Sequence, residues 1–285
     1  VPDIAVVNGR IQALSDAAIP ATDMAFLRGC GAFETWRSYG GHPHALAWHL
    51  DRLWNAAALF GVMPFVDEQQ LRHWLLDGQR ATGYEEVKVN AVCSPGDHSE
   101  GVFGSINPRL VLIIRELHEP PAQWYSDGVG VIGYQASRTF PEHKTVNYLC
   151  GVPALQKAQQ NQAHEAIYLA EDGFIREGVT SNIHARFGNT VASPQHQCLA
   201  GITRRGLREL ALSAGLQWDD QRQLTIADLQ QADEVWLSSA IREVVPVVSV
   251  DGVAVADGRP GEWAPKLKSA YRALCLSSSR AEALA

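Results

Sequence analysis

The chain has 285 residues, 46% apolar and 19% charged, with a formal net charge of −7. That length predicts one large or two modest domains, and the balance is that of a soluble globular protein. An acidic chain without a basic run excludes a nucleic-acid surface, and no apolar run reaches membrane-spanning length. Residues 4–11 predict a hairpin, because Asn8-Gly9 between apolar runs is a strong type I′ turn signal. The second half of residues 23–41 alternates and ends in Gly40-Gly41, a strand entering a turn. Residues 45–60 and 67–81 have apolar positions at helical spacing, the first run carrying His49, Asp51 and Arg52. Residues 87–92 and 110–114 predict strands flanking a polar, turn-rich loop over residues 94–108, where substrate contacts often sit.

Glu119-Pro120-Pro121-Ala122 is the best linker, since adjacent prolines block both strand and helix. It predicts a small domain over residues 1–118, a linker at 119–122 and a large domain over 123–285. Beyond it strands and helices alternate, which predicts mixed α/β architecture: strands at 129–134, 166–170, 183–187 and 234–237, helices at 149–160 and 203–214. Pro153 should kink the first of those helices or mark a late start. Cys30, Cys93, Cys150, Cys198 and Cys275 are odd in number and lack CxxC spacing. They read as reduced thiols, with neither a disulfide framework nor a metal site. The first residues lack the basic and apolar regions of a signal peptide, so a cytoplasmic protein is expected.

Lys144 stands between a predicted strand and a predicted helix. Alone it reads as a solvated surface lysine. A lysine shielded from water is also the amine that forms a Schiff base with an aldehyde. Downstream follow Glu177-Gly178-Val179-Thr180-Ser181-Asn182, Leu199-Ala200-Gly201-Ile202-Thr203-Arg204, and Ser238-Ser239-Ala240-Ile241-Arg242. In this order and spacing the motifs resemble the fold-type IV pyridoxal-phosphate enzymes, over nearly the whole chain. That family includes D-amino-acid and branched-chain aminotransferases and aminodeoxychorismate lyase.

The resemblance implies a two-domain α/β (α+β) fold, with a smaller N-terminal domain and a larger C-terminal pseudo-barrel domain. It implies pyridoxal 5'-phosphate as cofactor and Lys144 as its Schiff-base partner and α-proton shuttle. Glu177 becomes the partner of the pyridinium nitrogen, supported by Asn182 and Thr180-Ser181. Arg52, matched through the pattern His49-x-x-Arg52-Leu53, is assigned to the cofactor phosphate. Gly201, Ile202 and Thr203 form the phosphate cup at a helix N-terminus, Leu199 packs on the ring, and Ser239-Ala240 make the last phosphate contact. The aminotransferases usually carry Thr where this chain has Ala240, so that hydroxyl must come from Ser239. Where Cys30 stands the family usually has an acidic residue.

Two residues separate Lys144 from Asn147, as in D-amino-acid aminotransferases and the lyases. The D-enzymes hold the substrate carboxylate with Tyr, Arg and His. Here Phe33 fills the Tyr position, the stretch Ser94-Pro95-Gly96-Asp97-His98 keeps only His98, and Arg242 is a candidate substitute anchor. Tyr148 completes the candidate substrate contacts. The expected reaction moves an amino group between an amino acid, the D-enantiomer among the candidates, and a 2-oxo acid. Alternatives are pyruvate elimination, as in aminodeoxychorismate lyase, and branched-chain transamination. The resemblance also implies a homodimer whose sites lie between the domains, with the loop over residues 94–108 expected to reach the neighbouring copy.

Overall fold

The computed structural model describes residues 2–97 and 104–284, so His98 lies outside the described residues. The chain folds as two compact units. One comprises residues 1–118, 143–147 and 275–285, and the other residues 119–142 and 148–274.

The first unit contains β1 (Ile4–Val7), β2 (Arg10–Ala13), α1 (Met24–Arg28), β3 (Ala32–Tyr39), β4 (His42–Pro43), α2 (Leu46–Ala57), α3 (Glu68–Thr82), β5 (Val87–Ser94) and β6 (Arg109–Glu116). The strands form an antiparallel sheet in the order β2-β1-β6-β5-β3-β4 among the described residues. Asn8 (φ 46°) and Gly9 (φ 85°) turn the β1–β2 hairpin, the double positive φ that a type I′ turn requires. α2 packs on β3 and α3 on β1 and β6, burying Leu46, Leu50 and Leu53 with Leu71, Leu75 and Trp36. Asp67 starts α3 by accepting the Gln70 N–H at 2.7 Å. The short α1 has no periodicity to read; Asp23 caps it by accepting the Ala25 N–H at 2.8 Å, and Gly29 ends it in the left-handed region.

The second unit contains α4 (Gln123–Ser126), β7 (Val129–Gln135), α5 (Gly151–Gln160), β8 (Glu165–Leu169), β9 (Ile175–Gly178), β10 (Asn182–Phe187), β11 (Thr190–Ala192), α6 (Ile202–Ser213), β12 (Gln217–Asp219), α7 (Ile226–Gln230), β13 (Glu234–Ser239), β14 (Glu243–Val250) and β15 (Val253–Ala254), and α8 (Trp263–Leu284) begins in it. Its mixed sheet runs β12-β11-β10-β13-β14-β7-β8-β9, with β15 paired to β14. β7 lies parallel to both β14 and β8, and β11 to β12; the other pairs are antiparallel. The mixed α/β architecture expected from the alternation is therefore present. α5 starts at Gly151, two residues later than the apolar spacing suggests, which places Pro153 in its first turn, where a missing N–H costs nothing. No helix among the described residues is long and apolar enough to cross a membrane.

Candidate active site

Lys144 belongs to the first unit, held there by its main chain. Phe33 N–H donates to the Lys144 carbonyl at 2.8 Å, Val146 N–H donates to the Gly31 carbonyl at 3.0 Å, and Thr145 bridges Ala32. The lysine thus rides on the start of β3, with Nζ 4.0 Å from the centre of the Phe33 ring. Phe33, which has no hydroxyl for a substrate carboxylate, instead gives the lysine an aromatic face. Cys30 lies between the end of α1 and Gly31, and nothing in the structure explains its replacing an acidic residue.

Next along β3, Glu34 is fully buried against α2. Arg52 Nε donates to its Oε1 at 2.6 Å and Arg52 Nη2 to its Oε2 at 2.9 Å. His49 Nδ1–H donates to Oε2 at 2.8 Å. Burial alone would raise the Glu34 pKa, but Arg52 and His49 outweigh it and lower it from 4.5 to about 2. Burial lowers the His49 pKa despite Glu34, so its ring is neutral at neutral pH and the contact is a hydrogen bond. Arg52, assigned to the cofactor phosphate, therefore already carries a two-nitrogen ion pair on its fork. His49 and Arg52, three apart on α2, and Glu34 in the alternating strand are all visible in the sequence; their pairing is not.

Arg52→Ala is accordingly expected to leave Glu34 buried without its main partner, at a stability cost of about 3–5 kcal/mol. Adding Glu34→Gln should recover much of it. Because the folded pKa of Glu34 is depressed, its contribution is complete above pH 4.5 and is lost as pH falls toward 2. Urea midpoints at pH 7 measure the cost, and an unchanged midpoint in Arg52→Ala would show that the pair is dispensable.

The base of the loop after β5 is also built. Arg109 donates from Nη1 to buried Asp23 Oδ2 at 2.9 Å and from Nη2 to Asp97 Oδ1 at 2.7 Å, while Ser94 Oγ donates to Asp23 Oδ1 at 2.5 Å. The hydrogen bond from Arg109 leads the effects that lower the Asp97 pKa. A Cβ on Gly96 would lie 1.9 Å from the Ile106 carbonyl oxygen, so the two sides of the loop meet at a glycine.

In the second unit, Glu177, the penultimate residue of β9, is almost fully buried. Arg138 Nε donates to its Oε1 at 2.8 Å, and Leu199 N–H donates to its Oε2 at 3.0 Å. Arg138 also donates from Nη2 to the Pro141 carbonyl. The role of Arg138 is absent from the sequence reading; its position at the head of the lysine stretch is the only signal there. Asn182 Nδ2 donates to the Leu199 carbonyl at 2.9 Å, and a Cβ on Gly201 would stand 1.9 Å from Asn182 Oδ1. Any larger residue there would displace the Asn182 amide. Gly201 is the N-cap of α6 and no side chain caps that helix, so the first-turn N–H groups of Ile202 and Thr203 are presented to an anion. Thr203 is buried and its Oγ1 accepts from the Tyr271 hydroxyl at 3.4 Å.

Tyr148, partly buried, lies in the field of Arg138, Glu165, Glu177 and Arg242; burial foremost, with the two carboxylates, raises its pKa, so it stays a neutral phenol. Ser239 ends β13, Ala240 follows it, and the Arg242 guanidinium is engaged by Glu165, Thr180 and Ser239. The donor set suits a phosphorylated cofactor with a basic ring nitrogen: a helix N-terminus, a hydroxyl and a buried carboxylate on one unit. Among the described residues no group of three or more His, Cys, Asp or Glu could hold a metal ion.

The family pattern described as "Amino-transferase class IV" matches residues 31–250. D-alanine aminotransferase of Bacillus licheniformis is 30% identical over 279 residues, 95% of this chain and 97% of that protein. Aminodeoxychorismate lyase of Bacillus subtilis strain 168 is 27% identical, covering 93% of this chain and 92% of its own. Among solved structures, the branched-chain amino acid aminotransferase of Escherichia coli superposes with a TM-score of 0.89 at 24% identity, over 98% of this chain and 96% of that one.

Proposed function

The chain belongs to the class IV aminotransferases, which are pyridoxal-phosphate enzymes, and from that premise we propose that it moves an amino group between an amino acid and a 2-oxo acid. The observation that carries this reading is Glu177, a buried carboxylate tied through Leu199 to the glycine-capped start of α6. A partner for a ring nitrogen and a cup for a phosphate are thereby one rigid piece. Bound pyridoxal 5'-phosphate supplies an aldehyde for an amine and a ring that withdraws electrons from the substrate's α-carbon.

Lys144 Nζ would be that amine, and as a free amine it would hold and move the substrate's α-proton. Glu177 would hold the proton on the ring nitrogen, its carboxylate directed by the Arg138 Nε–H. Gly201, Ile202 and Thr203 would bind the phosphate through main-chain N–H groups, Ser239 would add a hydroxyl contact, and Leu199 would pack on the ring. Tyr148, Phe33 and His98 are the proposed substrate contacts. The 30% identity to a D-alanine aminotransferase and the Lys144-x-x-Asn147 spacing support a D-amino acid as donor. Half-reactions of the loaded enzyme with a panel of D- and L-amino acids, followed by the loss of visible absorbance, test this; a response confined to L-amino acids would overturn the D assignment.

A second reading, pyruvate elimination, is supported by the Bacillus subtilis lyase and by the absent hydroxyl at Ala240. Release of pyruvate without an added 2-oxo acid would favour it. The proposed assembly is a homodimer completing its sites with the loop over residues 94–108. Specific activity should then fall on dilution below the dimer dissociation constant, as mass action requires. Full activity in a species that sediments as a monomer would refute the shared site. A cytoplasmic location is proposed from the cysteine number and spacing, which fit no disulfide framework.

A further inference from the structure

Arg242 is a candidate for holding a substrate carboxylate, but its fork is already committed. Nη1 donates to Glu165 Oε2 at 2.7 Å, and Nη2 donates to the Thr180 carbonyl at 3.1 Å and to Thr180 Oγ1 at 2.7 Å. Nε donates to Ser239 Oγ at 3.1 Å, and the Arg242 main-chain N–H approaches the same hydroxyl at 3.4 Å. Glu165 is fully buried, and its other oxygen accepts from Thr180 N–H at 2.5 Å and Thr180 Oγ1 at 2.9 Å. The charge of Arg242 is thus matched, and little of its donor capacity remains for a second carboxylate.

The consequence falls on Ser239. A serine hydroxyl has one proton to give and two lone pairs to receive. Both N–H groups of Arg242 address its oxygen, so its proton must point away from them, toward an acceptor. We propose that Arg242 is a positioning residue that makes Ser239 a one-way hydrogen-bond donor to the cofactor phosphate, in place of the hydroxyl that Ala240 lacks. The same guanidinium ties Ser239 to the turn over residues 178–181 that follows Glu177, so the phosphate donor and the ring-nitrogen partner keep a fixed separation. Lysine could hold Glu165 but, as a single point charge, could not also direct Ser239.

This inference rests on the proposal that the chain binds pyridoxal 5'-phosphate through the residues above, and its test separates the two. Apoenzyme is titrated by fluorescence quenching with pyridoxal 5'-phosphate and, separately, with pyridoxal lacking the phosphate. The proteins compared are the wild type, Arg242→Lys, Arg242→Met, Ser239→Ala and the double variant Arg242→Lys/Ser239→Ala. Each single variant should weaken binding of the phosphorylated compound about tenfold, the order of one hydrogen bond to a charged group, and leave pyridoxal binding unchanged. The double variant should bind no more weakly than Ser239→Ala, because Arg242 acts through that hydroxyl. Should Arg242→Met fail to fold, with Glu165 left buried and unpaired, the Lys series gives the answer alone. Additive losses in the double variant would overturn the proposal. So would a lowered apoenzyme melting temperature with unchanged affinity, which is the mark of a merely structural residue. A raised KM for the amino acid at unchanged cofactor affinity would return Arg242 to the role of carboxylate anchor. A wild type that does not bind pyridoxal 5'-phosphate would overturn the functional reading itself.

Discussion

Lys144→Ala is expected to abolish transamination, by about ten-thousand-fold or more, while the protein folds normally. A residue that serves as both nucleophile and proton shuttle leaves no substitute when removed. The fold should tolerate the loss because Lys144 is placed by main-chain hydrogen bonds, from Phe33 N–H to its own carbonyl and from Val146 N–H to the Gly31 carbonyl, which alanine retains. Truncation removes the approach of Nζ to the Phe33 ring, and such a cation–π pair is worth about 0.5–1 kcal/mol near the surface. Turnover and the urea midpoint measured on one preparation check both halves. Near wild-type turnover would remove Lys144 from the chemistry.

Glu177→Gln is expected to retain the cofactor yet lose about 10²–10³ in turnover, the range found when one preorganised electrostatic contact is removed at a reacting centre. Glutamine keeps an acceptor for either the Leu199 N–H or Arg138, so the α6 entry should survive. The lost negative charge is what the ring-nitrogen proton depends on. Single-turnover rates at saturating cofactor isolate this from weakened binding. If they equal those of the wild type, Glu177 serves only to hold Arg138 and Leu199.

The legible parts of this molecule are local. The Asn8-Gly9 turn and the helical spacing of α2 and α3 follow from neighbours in the chain, and the structure contains each. The glycine at 201 can be read from its motif, and the clash a Cβ would make with Asn182 supplies the steric reason. What stays hidden are pairings of charged groups far apart in sequence. Glu34 with Arg52, Arg109 with Asp23, Arg138 with Glu177 and Glu165 with Arg242 each join different elements. Burial of a carboxylate demands a partner, but spacing along the chain does not say which arginine answers. Arg52 and Arg242, read as ligand-binding groups, have intramolecular carboxylates on their forks, which spacing alone could not show.

The attachment of Lys144 to β3 also bears on how the enzyme acquires activity. The hydrogen bond from Phe33 to Lys144 closes a loop of more than a hundred residues, and all of the first unit's other strands lie within that loop or before it. Contacts of such long range form slowly, after local helices and hairpins have organised. During refolding from denaturant the helical signal should therefore return before the reactive amine is in place. For that interval the population would be compact and catalytically silent.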